Sequence, residues 1–132
     1  VRFLGFRNQS ELPALYDLCD LFVLPSRFEP WGLVVNEAMN AARPIVVTDR
    51  VGAAADLVAD GENGFVYPSG DVAALAVALT RLVESANLRN EMGAASLARI
   101  NKWNFAADRN GLLAALAAVA PRRHAAEKAF GA

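Results

Sequence analysis

The stretch Leu21-Phe22-Val23-Leu24-Pro25-Ser26-Arg27-Phe28-Glu29-Pro30-Trp31-Gly32-Leu33-Val34-Val35-Asn36-Glu37-Ala38-Met39 decides the fold class. Leu21 to Pro25 is a continuous apolar run, the pattern of a strand buried on both faces, as in a parallel sheet. A short loop of Ser26, Arg27, Phe28 and Glu29 follows. Pro30 and Gly32 then stand at a helix start, where the N–H that proline lacks is not missed. The order is strand, loop, helix N-terminus. In open parallel sheets that edge is where ligands bind. The free N–H groups of a helix start, together with the helix dipole, favour an anion such as phosphate.

The spacing predicts a helix from about Trp31 to Ala42. Helical periodicity gives it an inward stripe of Leu33, Val34, Glu37, Ala38 and Ala41. Glu37 then falls in the middle of an apolar face, where a carboxylate needs partners or neutralises. Two readings are open. Glu37 leans to the edge of the stripe and profits from the nearby helix N-terminus, or it reaches past the end of the sheet and accepts ligand hydroxyls. Glu29, alone, reads as a solvated loop acid. Beside Glu37 it becomes one of two acids flanking one phosphate pocket, which suits a sugar nucleotide whose hydroxyls want acceptors.

Glu29 and Glu37 form a Glu-x7-Glu pair, Glu-Pro-Trp-Gly-Leu-Val-Val-Asn-Glu. It resembles the signature of the family-4 retaining glycosyltransferases of the GT-B fold. The text from Glu37 to Asp49 continues the resemblance, as does Asp60-Gly61-Glu62-Asn63-Gly64-Phe65-Val66-Tyr67-Pro68-Ser69-Gly70-Asp71. The likeness covers about residues 1 to 110. The segment from Ser26 to Pro30 also resembles starch and glycogen synthases, but Glu37-Ala38-Met39 favours family 4.

The resemblance implies the donor-binding, C-terminal half of a GT-B enzyme. Glu29 would contact the donor sugar and is the residue assigned to catalysis; Glu37 would hold the nucleotide ribose. Pro30, Trp31, Gly32 and Leu33 complete the donor site, with the Gly32 and Leu33 amides at the distal phosphate. The family is metal-independent, so no metal and no cofactor are expected. The expected partners are a nucleoside diphosphate sugar, a glycan or other hydroxyl acceptor, and the N-terminal GT-B domain, which this chain does not include. The family's Gly-rich turn reads Val51-Gly52-Ala53-Ala54-Ala55-Asp56 here. Gly52 stands, while a second glycine and a proline have become alanines. Arg43 occupies a position where glycine is usual and reads as a surface residue. The parent enzyme would move a sugar to an acceptor hydroxyl in glycan or polysaccharide synthesis. The alternatives are a nucleotide-sugar binding module without turnover and a GT-B relative such as a sugar-nucleotide epimerase.

Composition sets the outer bounds. The 132 residues amount to one domain, and 55% hydrophobic residues are ample for a core. The net charge of -1 gives no reason to expect nucleic acid as a partner. A single cysteine, Cys19, excludes an internal disulfide and fits a reducing, cytoplasmic compartment, with peripheral membrane association open. Its place on an apolar helix face reads as buried filler. No apolar run reaches the length of a membrane span, and no signal peptide opens the chain. Val1 already lies in a strand-like run, so the chain reads as one that begins inside a domain.

The remaining elements follow in order. Val1 to Phe6 reads as a strand. Ser10 is the expected cap of a helix reaching Asp20, with Leu12, Leu15, Tyr16 and Cys19 on one face. Ile45 to Thr48 is a strand, then a short helix runs from about Ala53 to Ala59, and Gly64 to Tyr67 is a strand. Asp71 caps a helix to Glu84 with Val72, Leu75, Leu79 and Leu82 inward. Another helix runs from Asn87 to about Asn101. The last, capped by Asn104, carries Phe105, Leu112, Leu113, Leu116 and Val119. Strand and helix alternate with short links, which predicts an α/β, Rossmann-like parallel sheet with helices on both faces. The expected domain is 1–120, with a tail at 121–132 that holds Arg122, Arg123 and the only histidine, His124.

Overall fold

The computed structural model describes residues 1–119; the expected tail lies outside them. The elements are α1 (Leu12–Asp17), β1 (Phe22–Leu24), α2 (Leu33–Asn40), β2 (Ile45–Thr48), α3 (Gly52–Leu57), β3 (Gly64–Tyr67), α4 (Val72–Glu84), α5 (Ala86–Ile100) and α6 (Phe105–Val119). Two compact units are distinguished, residues 1–101 and a second that opens at Lys102. In the second, Asn104 caps α6 as expected: its Oδ1 accepts from the Ala106 and Ala107 amides, both at 3.1 Å.

The first unit is built on a parallel three-stranded sheet in the order β1-β2-β3. Phe22, Val23 and Leu24 pair with Ile45, Val46 and Val47, which in turn pair with Gly64, Phe65 and Val66. Side chains alternate across the sheet. Ile45 and Val47 enter one core with Val35, Ala38, Met39, Ala53, Ala54 and Leu57 from α2 and α3. Val46 enters the other with Phe65, Tyr67, Ala78, Leu82 and Met92. The crossover helices α2 and α3 thus share one face, and α4 covers the opposite one. Fully burying one such aliphatic side chain stabilises the fold by about 1.5–3 kcal/mol. Helix α5 serves both cores: Leu88 and Met92 pack in the α4 core, Leu97 and Ile100 in the α2–α3 core. The α/β reading, with a parallel sheet between helices, is observed.

Several expectations require correction. Val1 to Phe6 forms no strand; Val1, Phe3 and Phe6 are exposed, and Gly5 at φ 67° breaks the extended run. β1 is half-buried, because it is the sheet's edge and has one neighbour. α1 starts after Glu11 rather than from a Ser10 cap, and it ends at Asp17, short of Asp20. Cys19 consequently leaves the helix face and is exposed, its Sγ donating to the Leu15 carbonyl at 3.1 Å. Val72, the first residue of α4, is exposed rather than inward. Asp71 does cap α4, accepting from the Ala74 amide at 2.9 Å.

Candidate functional site

The carboxyl ends of the three strands gather the loops 25–32, 49–51 and 68–71. Backbone contacts bind the first two together. The Glu29 amide donates to the Arg50 carbonyl at 3.0 Å, the Gly52 amide to the Glu29 carbonyl at 2.9 Å, and the Ala53 amide to the Trp31 carbonyl at 2.8 Å. Glu29 and Val51 form a parallel bridge that continues the sheet past its named strands. Thr48, buried at the end of β2, donates its hydroxyl to the Ser26 carbonyl at 2.6 Å. Asp49 accepts from the Ser69 amide at 2.9 Å, which joins the third loop.

Two glycines make this packing possible. A Cβ on Gly52 would overlap the Pro30 carbonyl oxygen, so no other residue lets the loops close to this distance. Gly32 is the N-cap of α2 at φ 92° and ψ 60°, a left-handed conformation that favours glycine. A Cβ there would lie 3.0 Å from Val51 and 3.3 Å from Cγ of Glu29. The stem of Glu29 therefore lies against the first residue of the α2 terminus.

The α2 start differs from the expected one. The helix begins at Leu33, and Pro30 stays in the loop, exposed, without serving as a first-turn residue. Gly32 makes no side-chain cap; its carbonyl accepts from the Val35 amide at 2.8 Å, and the Leu33 and Val34 amides ahead of it have no carbonyl inside the helix. The inward stripe is Val35, Ala38 and Met39, all fully buried. Leu33 is 61% exposed and points away from the core. Trp31 is half-buried and donates Nε1 to Asn36 Oδ1 at 3.1 Å, locking the loop onto the helix it precedes.

The rotated stripe moves Glu37 off the centre of the apolar face. It is half-buried and accepts a hydrogen bond on Oε2 from the Tyr16 hydroxyl at 2.8 Å. Tyr16 is the buried residue of α1. Burial, and then the hydrogen bond to Glu37, hold its phenol well above the usual range. Glu37 Oε1 has no hydrogen-bond partner among the described residues. A depression of about 440 Å³ lies beside it, lined by Gln9, Leu12, Pro13, Tyr16, Asp17, Glu37, Asn40 and Ala41. Glu29 lines a separate depression of about 770 Å³ with Phe28, Pro30, Asp49, Arg50 and Gly52. Glu37 and Glu29 thus line different depressions. Glu37 stands five residues past Gly32, roughly 7.5 Å along the helix axis. The carboxylate of Glu29 has no hydrogen-bond or ion-pair partner among the described residues. No group of three metal-ligating side chains occurs among those residues.

Tyr16, as the partner of Glu37, is the residue the sequence concealed. Its place on the apolar face of α1 was legible, but nothing in a linear reading aims its hydroxyl at a residue 21 positions later. Arg43 is likewise more than surface decoration: its Nη1 donates to the Cys19 carbonyl at 2.7 Å and pins the entry to β1.

A parallel sheet between helices, with a helix start that carries no side-chain cap at its carboxyl edge, defines a Rossmann-like α/β domain. The chain belongs to the glycosyl transferases group 1 family, whose model matches residues 1–99. An alpha-D-kanosaminyltransferase of Streptomyces kanamyceticus is 37% identical over 92 residues, covering 70% of this chain and 24% of that protein. A D-inositol 3-phosphate glycosyltransferase of Corynebacterium diphtheriae is 36% identical over 107 residues, covering 81% and 25%. A glycogen synthase of Mycobacterium tuberculosis is 40% identical over 83 residues, covering 63% and 20%. The chain thus spans about a quarter or less of the length of these relatives. Among solved structures, a sucrose-phosphate synthase from Thermosynechococcus elongatus superposes with a TM-score of 0.77 at 29% identity over 91% of this chain and 31% of that one. HepE from Anabaena, in complex with UDP, gives 0.77 at 29% identity over 90% and 32%. No helix among the described residues is long and apolar enough to cross a membrane.

Proposed function

We propose that the chain is the donor-binding, C-terminal part of a retaining, family-4 type glycosyltransferase. The parent enzyme moves a sugar from a nucleoside diphosphate to an acceptor hydroxyl in glycan or polysaccharide synthesis. The observation that carries this is the uncapped start of α2 at Gly32, with Glu29 packed against it and Glu37 further along the same helix. The Gly32 and Leu33 amides meet the distal phosphate, Glu29 the sugar, and Glu37 the ribose. Pro30 and Trp31 shape the loop that carries Glu29. The separation of Glu29 and Glu37 supports the reading, since a diphosphate lies between the sugar and the ribose of such a donor. Charge on the leaving diphosphate is met by helix amides and basic side chains, so the transfer needs no metal. The UDP bound by HepE fits this class of ligand.

For the 132-residue chain by itself we infer donor binding without turnover. Transfer requires donor and acceptor held together in near-attack geometry, which supplies much of an enzyme's rate. The acceptor would be held by the N-terminal GT-B domain.

The test is calorimetric titration of the complete enzyme with UDP, GDP and ADP. Glu37→Gln should weaken binding of the preferred nucleotide by about 1–3 kcal/mol, the cost of spoiling a hydrogen bond to a charged group. Unchanged affinity would assign Glu37 to structure alone.

A further inference from the structure

We propose that Tyr16 is a positioning residue for the donor: it holds Glu37 by one carboxylate oxygen and leaves the other for a ribose hydroxyl. The inference rests on the reading of Glu37 as the ribose acceptor. It adds a residue on a different helix, remote from the motif that carries that reading.

The two halves of the pair differ in mobility. Tyr16 is 9% exposed and sits in the core with Val35, Ala38 and Met39. Its ring meets Phe22 edge-on, with centroids 5.9 Å apart at 68°. The hydroxyl therefore projects from a fixed point. Glu37 is a long, half-buried side chain that would otherwise sample several rotamers, and ordering such a chain costs conformational entropy. The hydrogen bond from Tyr16 meets that cost before a ligand arrives, which is preorganisation. Burial and the Glu37 contact raise the phenol's pKa, so it remains a donor throughout the physiological range.

The surroundings specify the kind of ligand group. No cation pairs with Glu37 among the described residues. The adjoining depression carries a second acid, Asp17, together with the amides of Gln9 and Asn40 and the apolar walls of Leu12 and Ala41. Two carboxylates around one depression disfavour an anion there and welcome hydroxyl donors. A diphosphate is thereby left to the α2 start and the ribose to Glu37. Among the described residues, only one of the carboxylate's oxygens has a hydrogen-bond partner.

A bond that merely fastened α1 to α2 would predict something different, and ligand analogues separate the two. The complete enzyme is titrated with UDP, GDP and ADP and with the 2′,3′-dideoxy analogue of each. Wild type should prefer the ribonucleotide of its own donor. Tyr16→Phe keeps the ring and should reduce that preference roughly 2- to 10-fold, the range set by one hydrogen bond. Affinity for the dideoxy analogue should not change. Glu37→Gln should reduce the preference too, and Tyr16→Phe should add little in that background. If Tyr16→Phe keeps the full preference, or weakens both ligands equally, Tyr16 is a fastening only and the proposal falls. If wild type shows no preference for any ribonucleotide, the reading of Glu37 falls first and takes this one with it.

Discussion

Tyr16 on α1 and Glu37 on α2 are joined by a hydrogen bond of 2.8 Å between a buried ring and a half-buried carboxylate. The pair has a measurable consequence at high pH. The folded state holds the Tyr16 proton more tightly than the unfolded chain, whose tyrosines lose theirs near 10.0. The stabilisation is complete below that value and declines as pH rises above it toward the folded-state pKa. Tyr67, raised by burial, acts in the same direction. Urea unfolding at pH 8 and near pH 11 should show a loss of stability in wild type and a smaller loss in Tyr16→Phe. Equal losses in the two proteins would mean that the pair does not couple to folding.

Glu29 should act on the sugar rather than on the nucleotide. It precedes α2, lines a different depression from Glu37, and its carboxylate has no partner in the described residues. In the complete enzyme Glu29→Ala should lower kcat by at least about 10-fold, corresponding to about 1.4 kcal/mol. Binding of the free nucleoside diphosphate should stay within twofold, about 0.4 kcal/mol. Comparable losses of nucleotide affinity in Glu29→Ala and Glu37→Gln would refute the division of labour.

Gly52→Ala should damage both fold and site. The added methyl meets the Pro30 carbonyl, which belongs to backbone and cannot swing aside. Overpacking of this kind costs about 1–3 kcal/mol. Chemical denaturation would give the value. A loss under about 0.5 kcal/mol would show that the 28–31 loop yields freely, contrary to its hydrogen bonds with residues 50–53.

Asn63 is a buried polar residue with its amide fully engaged. Its Oδ1 accepts from the Ala59 amide at 2.8 Å, and its Nδ2 donates to the Leu57 carbonyl at 3.0 Å. Ser96 on α5 donates its hydroxyl to the Asn63 carbonyl at 3.1 Å. Asn63→Ala leaves the first two groups unpaired in the interior, at about 1–3 kcal/mol each. Ser96→Ala should cost less, about 0.5–1.5 kcal/mol. The reverse order in denaturation would contradict this arrangement.

Much of the fold is written in local patterns. The apolar runs at Phe22–Leu24 and Ile45–Thr48 are strands, and the Asp71 and Asn104 caps lie where side-chain chemistry places them. The phase of α2 is not legible in this way. Leu33, Val34 and Val35 are consecutive apolar residues, so its first turn offers no direction. Only the left-handed Gly32, set by its packing against Val51 and Leu24, decides that Val35 turns inward and Leu33 outward. The same difficulty hides the Tyr16–Glu37 pair and the Glu29–Val51 bridge. Both depend on where two separate elements come to rest. The Glu29 and Glu37 spacing could be read from the sequence, but not their assignment to different depressions.

Helix α5 has a consequence for how the first unit comes apart. It contributes side chains to the cores on both faces of a sheet only three strands wide. Releasing α5 withdraws side chains from both layers at once. Such an arrangement welds the two layers into one cooperative block, in which partial opening has little to gain over complete unfolding. Hydrogen exchange at the amides of Val46 and Val47, whose side chains face opposite layers, should then report the same opening free energy.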